Sequence, residues 1–353
     1  MFTISKRTNA VCGLAAAFDS HDETWKKVRE EAHRANGWFT VAYIDLAVQH
    51  IVNRFLDRTL LEAWLLQYPD LSRKFPEHQS LTVGIVMAGN IPLVGFHDFL
   101  AAFLAGFKVR MKLSSKDTVL WNYIYGYLSD QYPEFRDTVA IVPMLKDCDA
   151  YIATGSNNTS RYFEQYFGRY PHIIRKNRTS VAVLTGQETD AELQALESSI
   201  NTYFGLGCRN ISKIYVPEGY DFEHFIAKTK HHIWQRDHNK YKNNYDYQLA
   251  MYILNKVQYM SNEATFFVEN REIYATVSVV HYEYYDRQET IYPDLNRSEV
   301  LQCIETAAAN LPVLQAHTTV PVIPLGSSQS PGLTDYADNV DTMAFLSALR
   351  LIL

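Results

Sequence analysis

The stretch that decides the fold runs Thr82-Val-Gly-Ile-Val-Met-Ala-Gly-Asn-Ile-Pro92, continues through an apolar segment to Gly106, and returns as Phe107-Lys-Val-Arg-Met-Lys-Leu-Ser-Ser115. Two short β-branched runs, Thr82 to Ala88 and Phe107 to Leu113, bracket a helix-like 93–105. That spacing predicts a βαβ unit with parallel strands. The alternation continues with a helix-like 116–131, a strand at Thr138 to Met144 and another at Ala150 to Thr154. Upstream, Ala42, Ile44, Ala47, Ile51, Phe55 and Leu60 recur at helical spacing, which predicts an N-terminal helical layer over residues 1 to about 80 ending at Pro76. Downstream of 185, strands are expected at Ile211 to Val216, Ala264 to Glu269 and Ile273 to Tyr282, forming a second α/β lobe.

The whole chain supports two domains. Its 353 residues exceed what one hydrophobic core usually serves, and 47% hydrophobic with 20% charged residues is the globular mix. The net charge is −6 and no Lys/Arg block is present, which argues against nucleic acid as a partner. No run reaches the roughly 18 apolar residues of a membrane span. Lys6 and Arg7 before the apolar Ala10 to Phe18 imitate a secretory leader. That stretch is short, contains Gly13 and runs into Asp19, Asp22 and Glu23 without a small-residue cleavage site, so the expectation is a cytoplasmic protein. Cys12, Cys148, Cys208 and Cys303 form no CxxC pair, as suits a reducing compartment. The 24 tyrosines, many at 241–292, fit either an aromatic core or an apolar channel.

Common catalytic signatures are missing: there is no phosphate-binding G-x-x-x-x-G-K-[ST], no H-E-x-x-H, no G-x-S-x-G and no G-x-G-x-x-G after a strand. His231, His232 and His238 lack a companion carboxylate or thiolate at ligand spacing and read as a solvated helix face, with no metal expected. Gly205-Leu-Gly207-Cys208 is more informative. It places a cysteine in a glycine-rich turn after a helix-like 190–204 and before a strand, where a backbone N–H beside the thiol could stabilise an oxyanion. On these residues alone Cys208 is either a nucleophile or a small buried side chain.

Several motifs in collinear order then resemble the aldehyde dehydrogenase superfamily. Gly89-Asn90-Ile-Pro92 is similar to the family's Asn-Phe-Pro-like turn, and Lys112-Leu-Ser-Ser115 to its Lys-Pro-Ser-Glu strand end. Ala153-Thr-Gly155-Ser156 resembles its Phe-Thr-Gly-Ser turn, Glu272-Ile-Tyr its Glu-Ile-Phe segment, and Pro324-Leu-Gly326 its C-terminal Pro-Phe-Gly turn. The resemblance implies an α/β, aldehyde-dehydrogenase-like architecture with a Rossmann-type parallel-sheet cofactor lobe and a second α/β catalytic lobe. The expected divisions are 1–183 for the N-terminal helices and dinucleotide-binding lobe, 184–325 for the cysteine lobe, and 326–353 for a return to the cofactor lobe or an oligomer interface. It also implies Cys208 as nucleophile, the Asn90 amide on the oxyanion, the helix after Gly155 and Ser156 facing the pyrophosphate, and Glu272 on the nicotinamide ribose.

Departures from the pattern narrow the expectation. Where hydrolytic members carry a Glu-Leu-Gly-Gly base, this chain reads Lys176-Asn-Arg-Thr-Ser-Val-Ala-Val-Leu184, without a carboxylate. A thioacyl enzyme lacking a base to activate water exchanges with a thiol instead. Together with the chain's length and the segments around Asn90, Cys208 and Gln302, this resembles the acyl-CoA reductase branch related to the LuxC fatty-acid reductase. The partner is then an acyl-CoA or acyl carrier protein thioester, and a homodimer is expected from the family. Ser115 replaces the family's ribose-binding Glu, with Lys112 and Lys116 nearby, which favours NADPH while leaving NADH open. Two other classes remain: a cysteine acyltransferase or thioesterase without hydride transfer, and a degenerate dehydrogenase scaffold acting as a binding protein.

Overall fold

The computed structural model describes residues 2–72 and 81–352; the expected helix end at Pro76 lies outside them. The chain divides into two compact units, Met1–Asn177 with Pro331–Leu353, and Arg178–Ser330.

The first unit is built on a five-stranded parallel sheet: β1 (Thr82–Val86), β2 (Lys108–Lys112), β3 (Val139–Ile141), β4 (Ala150–Thr154) and β5 (His172–Arg175), in the order β3-β2-β1-β4-β5. The chain therefore reverses direction across the sheet between β1 and β4, the kind of crevice where open α/β sheets bind ligands. Every residue of β1 is buried, as a strand covered on both faces requires. Beside it the helix Phe96–Leu104 is buried at nearly every position, matching a sequence that is apolar but for His97 and Asp98. Its carboxyl end is capped from the N-terminal helix Ile4–Gly13: buried Arg7 donates to the carbonyls of Phe103 and Phe107, each at 2.7 Å. The C-terminal helix Thr342–Ile352 packs Met343, Leu346 and Leu349 into the same core. Arg175 ties it down, pairing with buried Asp98 at 2.7 Å and donating to Thr342 and to the Ala337 carbonyl.

The second unit holds a seven-stranded sheet of β6 (Thr179–Val183), β7 (Ile211–Pro217), β8 (Met260–Ser261), β9 (Phe266–Glu269), β10 (Val279–Tyr285), β11 (Leu301–Thr306) and β12 (Val322–Pro324). The order is β12-β11-β6-β7-β10-β9-β8, parallel except for the β8–β9 pair at one edge. Alternate residues of the central strands enter separate cores: Ala182, Leu184, Ile214 and Val216 on one face, Val181, Val183 and Tyr215 on the other.

Three expectations need correction here. The strand expected at Ile273 to Tyr282 begins only at Val279; residues 270–278 are irregular, and Ser278 adopts a left-handed φ of 68°. The helix expected over 190–204 ends at Asn201, because Tyr203, Phe204 and Gly205 are left-handed with φ of 55°, 59° and 72°. The histidines do not share a solvated helix face. His232 is mostly buried and packs, with exposed His231, against the fully buried Glu197 carboxylate, which their hydrogen bonds hold below its usual pKa despite burial. Among the described residues, no helix is long and apolar enough to cross a membrane.

Candidate active site

In the first unit, three expected turns come together because the strands that deliver them are neighbours. β2, β1 and β4 are adjacent and parallel, so the segments leaving their carboxyl ends share one edge of the sheet: Met87 to Asn90, Leu113 to Lys116, and Gly155 to Ser156. Asn90, Lys112, Ser115 and Ser156 are all exposed there. Two contacts lock the first two turns together. A side chain at Gly89 would lie 2.5 Å from Ser114 Oγ, so only glycine allows the approach. Beyond Pro92, the N–H of Leu93, left-handed at φ 54°, donates to Asp117 Oδ2 at 2.7 Å. Asp117 is buried and its Oδ1 has no hydrogen-bond partner; burial pushes its carboxyl pKa up to about 8.

Gly155 and Ser156 play different parts. A Cβ at Gly155 would meet the Phe163 ring at 2.9 Å and Thr159 at 3.1 Å, so the glycine lets the helix Asn157–Phe167 start directly above the end of β4. Ser156 is the N-cap of that helix and accepts from the Thr159 N–H at 3.2 Å. Its hydroxyl therefore serves the helix, while the exposed first turn, Asn157 to Thr159, presents the positive end of the dipole. An exposed helix amino terminus and the exposed lysines Lys112 and Lys116 at the same sheet edge suit a dinucleotide's pyrophosphate and ribose.

In the second unit, Cys208 occupies the turn between helix Asp190–Asn201 and β7 and is partly exposed. The helix presents its carboxyl end to this turn, so its dipole does not favour a thiolate. What fixes the turn is Asn210, a residue the sequence reading missed. Its buried amide donates to the carbonyls of Ser199, Ile200 and Thr202 at 2.9, 3.2 and 2.8 Å, and its Oδ1 accepts from the Gly207 N–H at 2.8 Å. One side chain thereby caps the helix and holds the segment preceding Cys208. The Cys208 carbonyl accepts from Ser180 Oγ on β6 at 3.1 Å, and the same hydroxyl contacts Cys303 Sγ at 3.1 Å. Cys303 is wholly buried, which pushes its thiol up to about 12 and keeps it out of nucleophilic chemistry.

The three consecutive left-handed residues before Leu206 include two bulky aromatics, a conformation that neighbours must enforce. Phe204 is clamped by the His238 ring at 4.5 Å, with Tyr241 and Trp234 further out. Tyr245 stacks on Phe266 at 4.3 Å, and Tyr252 and Tyr259 pack edge-on to it. These tyrosines of the 241–292 cluster are packing groups.

No carboxylate occurs between Lys176 and Gln187, and the first to follow, Glu188, is consumed by its own turn, accepting from Thr185 and Gly186. Two buried acids nearby are also committed. Glu197 holds the histidine pair, and Glu305 on β11 accepts from Ser199 Oγ at 2.7 Å and from the N–H groups of Gly326 and Ser328 at 3.0 and 2.8 Å. Glu305 thus anchors the Pro324-Leu-Gly326 turn, where φ is +84° at Gly326 and a Cβ would collide with Ala195. Glu272 is exposed on the irregular segment between β9 and β10.

No protein-family model matches the chain, and no curated protein matches it by sequence. Solved structures do. An aldehyde dehydrogenase from Physcomitrella patens, in complex with the product succinate, aligns at a TM-score of 0.72 and 11% identity over 98% of this chain and 84% of that one. A glyceraldehyde-3-phosphate dehydrogenase from Methanocaldococcus jannaschii, complexed with NADP, gives 0.65 and 12% over 93% and 82%. An NAD-dependent benzaldehyde dehydrogenase from Corynebacterium glutamicum gives 0.65 and 12% over 92% and 81%. The fold is that of the aldehyde dehydrogenases.

Proposed function

We propose that this chain is a nicotinamide-dependent oxidoreductase that reduces acyl thioesters, from acyl-CoA or acyl carrier protein, to aldehydes through Cys208. The observation that carries the reading is the pairing of a partly exposed cysteine, in a turn held by Asn210 and Ser180, with the lack of any uncommitted carboxylate on the segment that would supply a water-activating base.

The Cys208 thiolate attacks the thioester carbonyl, its sulfur forming a new bond to the acyl carbon, while the Cys208 N–H holds the oxyanion, a role the family resemblance also gives to the Asn90 amide. The intermediate collapses with expulsion of the donor thiolate, leaving a thioacyl enzyme. With water not activated, that thioester persists until reduced. A dihydronicotinamide, when bound, would supply a hydride to the acyl carbon; Cys208 would then leave as thiolate when the C–S bond breaks with release of aldehyde. The exposed first turn of the helix after Ser156 would hold the pyrophosphate, and the family resemblance gives Glu272 the nicotinamide ribose. Exposed Lys112, Ser115 and Lys116 favour the 2′-phosphate of NADPH over NADH, since a neutral hydroxyl flanked by cations accepts a charge that a glutamate would repel.

The test is covalent. Incubation with acyl-CoA without dinucleotide adds one acyl group, read as a mass increase mapped to the peptide containing Cys208, and Cys208→Ala abolishes both adduct and aldehyde formation. Aldehyde production retained by Cys208→Ala overturns the assignment.

A further inference from the structure

Glu272 lies in a segment without ladder pairing, yet its backbone is fully engaged, and by side chains. The carbonyls of three consecutive residues each receive a different donor: Lys213 Nζ to Arg271 at 2.7 Å, His281 Nδ1 to Glu272 at 2.9 Å, and Ser212 Oγ to Ile273 at 2.6 Å. On the other side, Asn270 Oδ1 accepts from the Glu272 N–H at 2.9 Å. Because its partner is a carbonyl, His281 Nδ1 carries the proton; burial lowers the pKa of this ring, which favours its neutral form.

Lys213 is the unusual member. It sits on the central strand β7 with its side chain fully buried, paired with Glu283 Oε2 at 2.6 Å and lying 4.8 Å from the Tyr215 ring centroid. Lys213 and His281 are register partners on β7 and β10, and Glu283 follows two residues later on the same face. A lysine in the middle of a parallel sheet is costly to bury, and a buried ion pair is weak evidence for stability because an apolar pair often does as well. Lys213 does something an apolar residue could not: it donates a hydrogen bond to a loop carbonyl.

We propose that Ser212, Lys213 and His281 form a clamp that holds Arg271-Glu272-Ile273 in one conformation, so that the exposed Glu272 carboxylate is presented ready to take a cofactor ribose. The second half of this statement rests on the function proposed above. These three are positioning residues, acting through the backbone of Glu272 and leaving its side chain unoccupied for a ligand. Freezing an irregular exposed segment during folding spares that ordering cost on binding, which is how preorganisation raises affinity. The clamp also explains why β10 starts late: carbonyls 271–273 are taken by side chains on the sheet face instead of by a neighbouring strand.

The experiment uses full-length wild type, Ser212→Ala, Lys213→Met and Lys213→Arg. NADPH and NADH binding is followed by nucleotide fluorescence, loop opening by hydrogen exchange of the 271–276 amides, and integrity of the cysteine turn by the rate of Cys208 alkylation with iodoacetamide. The clamp predicts faster exchange in 271–276 and a dinucleotide Kd raised about tenfold in Lys213→Met and about threefold in Ser212→Ala. Lys213→Arg, which keeps charge and donors, restores most of the affinity, and alkylation stays within about twofold of wild type throughout. A merely structural lysine would slow or speed alkylation together with Kd, which overturns the proposal, as does faster exchange with unchanged Kd. If wild type binds neither dinucleotide, the functional reading fails on its own, and exchange alone then judges the clamp: faster in Lys213→Met and Ser212→Ala upholds it, unchanged overturns it. Ser212→Ala, which removes one hydroxyl, keeps the test open if Lys213→Met does not fold.

Discussion

Single residues decide more here than their number suggests. Asp117, buried at the junction of the Asn90 and Lys112–Lys116 turns, has a carboxyl pushed up to about 8 by desolvation, with one hydrogen bond, from Leu93, opposing the shift. A folded-state pKa above the unfolded value near 3.8 means the protein is favoured while the group stays protonated. That contribution is complete at acid pH and is lost as pH rises toward 8, at up to about 1.4 kcal/mol per pH unit. Asp117→Asn mimics the neutral acid and cannot ionise. Its melting temperature relative to wild type should therefore climb between pH 5 and 8 and level off above, whereas a constant offset across that range would show that Asp117 is ionised in the folded protein. Cys303 shows how residue type alone misleads: it is a thiol like Cys208, but it lies wholly buried on β11, whereas Cys208 sits in a partly exposed turn.

Elements were legible in the sequence where hydrophobic periodicity and turn chemistry agreed. β1, β2, β4 and the helix between β1 and β2 are found where alternation predicts them: β1 and β4 are apolar runs buried along their length, and β2 alternates buried Val109 and Met111 with exposed lysines. Strands β5, β6, β11 and β12 escaped notice, being short or interrupted by polar residues such as Arg175, Ser180, Gln302 and Glu305 that are buried only through partners elsewhere in the chain. The same cause hid the clamp: Lys213 and Glu283 look like solvated charges until β7 and β10 are paired in register. Of the candidate site, the turns could be read from glycines and prolines, but Asn210, Ser180 and Ser212 could not, since an Asn or Ser near a turn carries no signal of which carbonyl it will reach. Asn210→Ala tests that element directly. Stripping the cap leaves three helix-end carbonyls and the Gly207 N–H without their partner, which should cost roughly 3 kcal/mol and lower the unfolding midpoint by around 10 °C. A midpoint within about 2 °C of wild type would mean that the turn is held by other contacts.

At the scale of the whole molecule, each unit carries its candidate residues at strand ends: the first on turns leaving the carboxyl ends of β1, β2 and β4, the second on the segment that enters β7 and the loop preceding β10. The chain aligns over most of its length with aldehyde dehydrogenases at 11–12% identity, and residues 176–187 carry no carboxylate. The proposed thioester reduction makes one measurement decisive. With NADPH, absorbance at 340 nm is followed on adding acyl-CoA of short and long chain, alongside release of free coenzyme A thiol. The account predicts that NADPH is oxidised only when acyl-CoA is present, with one thiol released per NADPH consumed and no oxidation by Cys208→Ala. Thiol release without NADPH or NADH oxidation would contradict it and identify an acyltransferase or thioesterase, and absence of both would leave a binding scaffold.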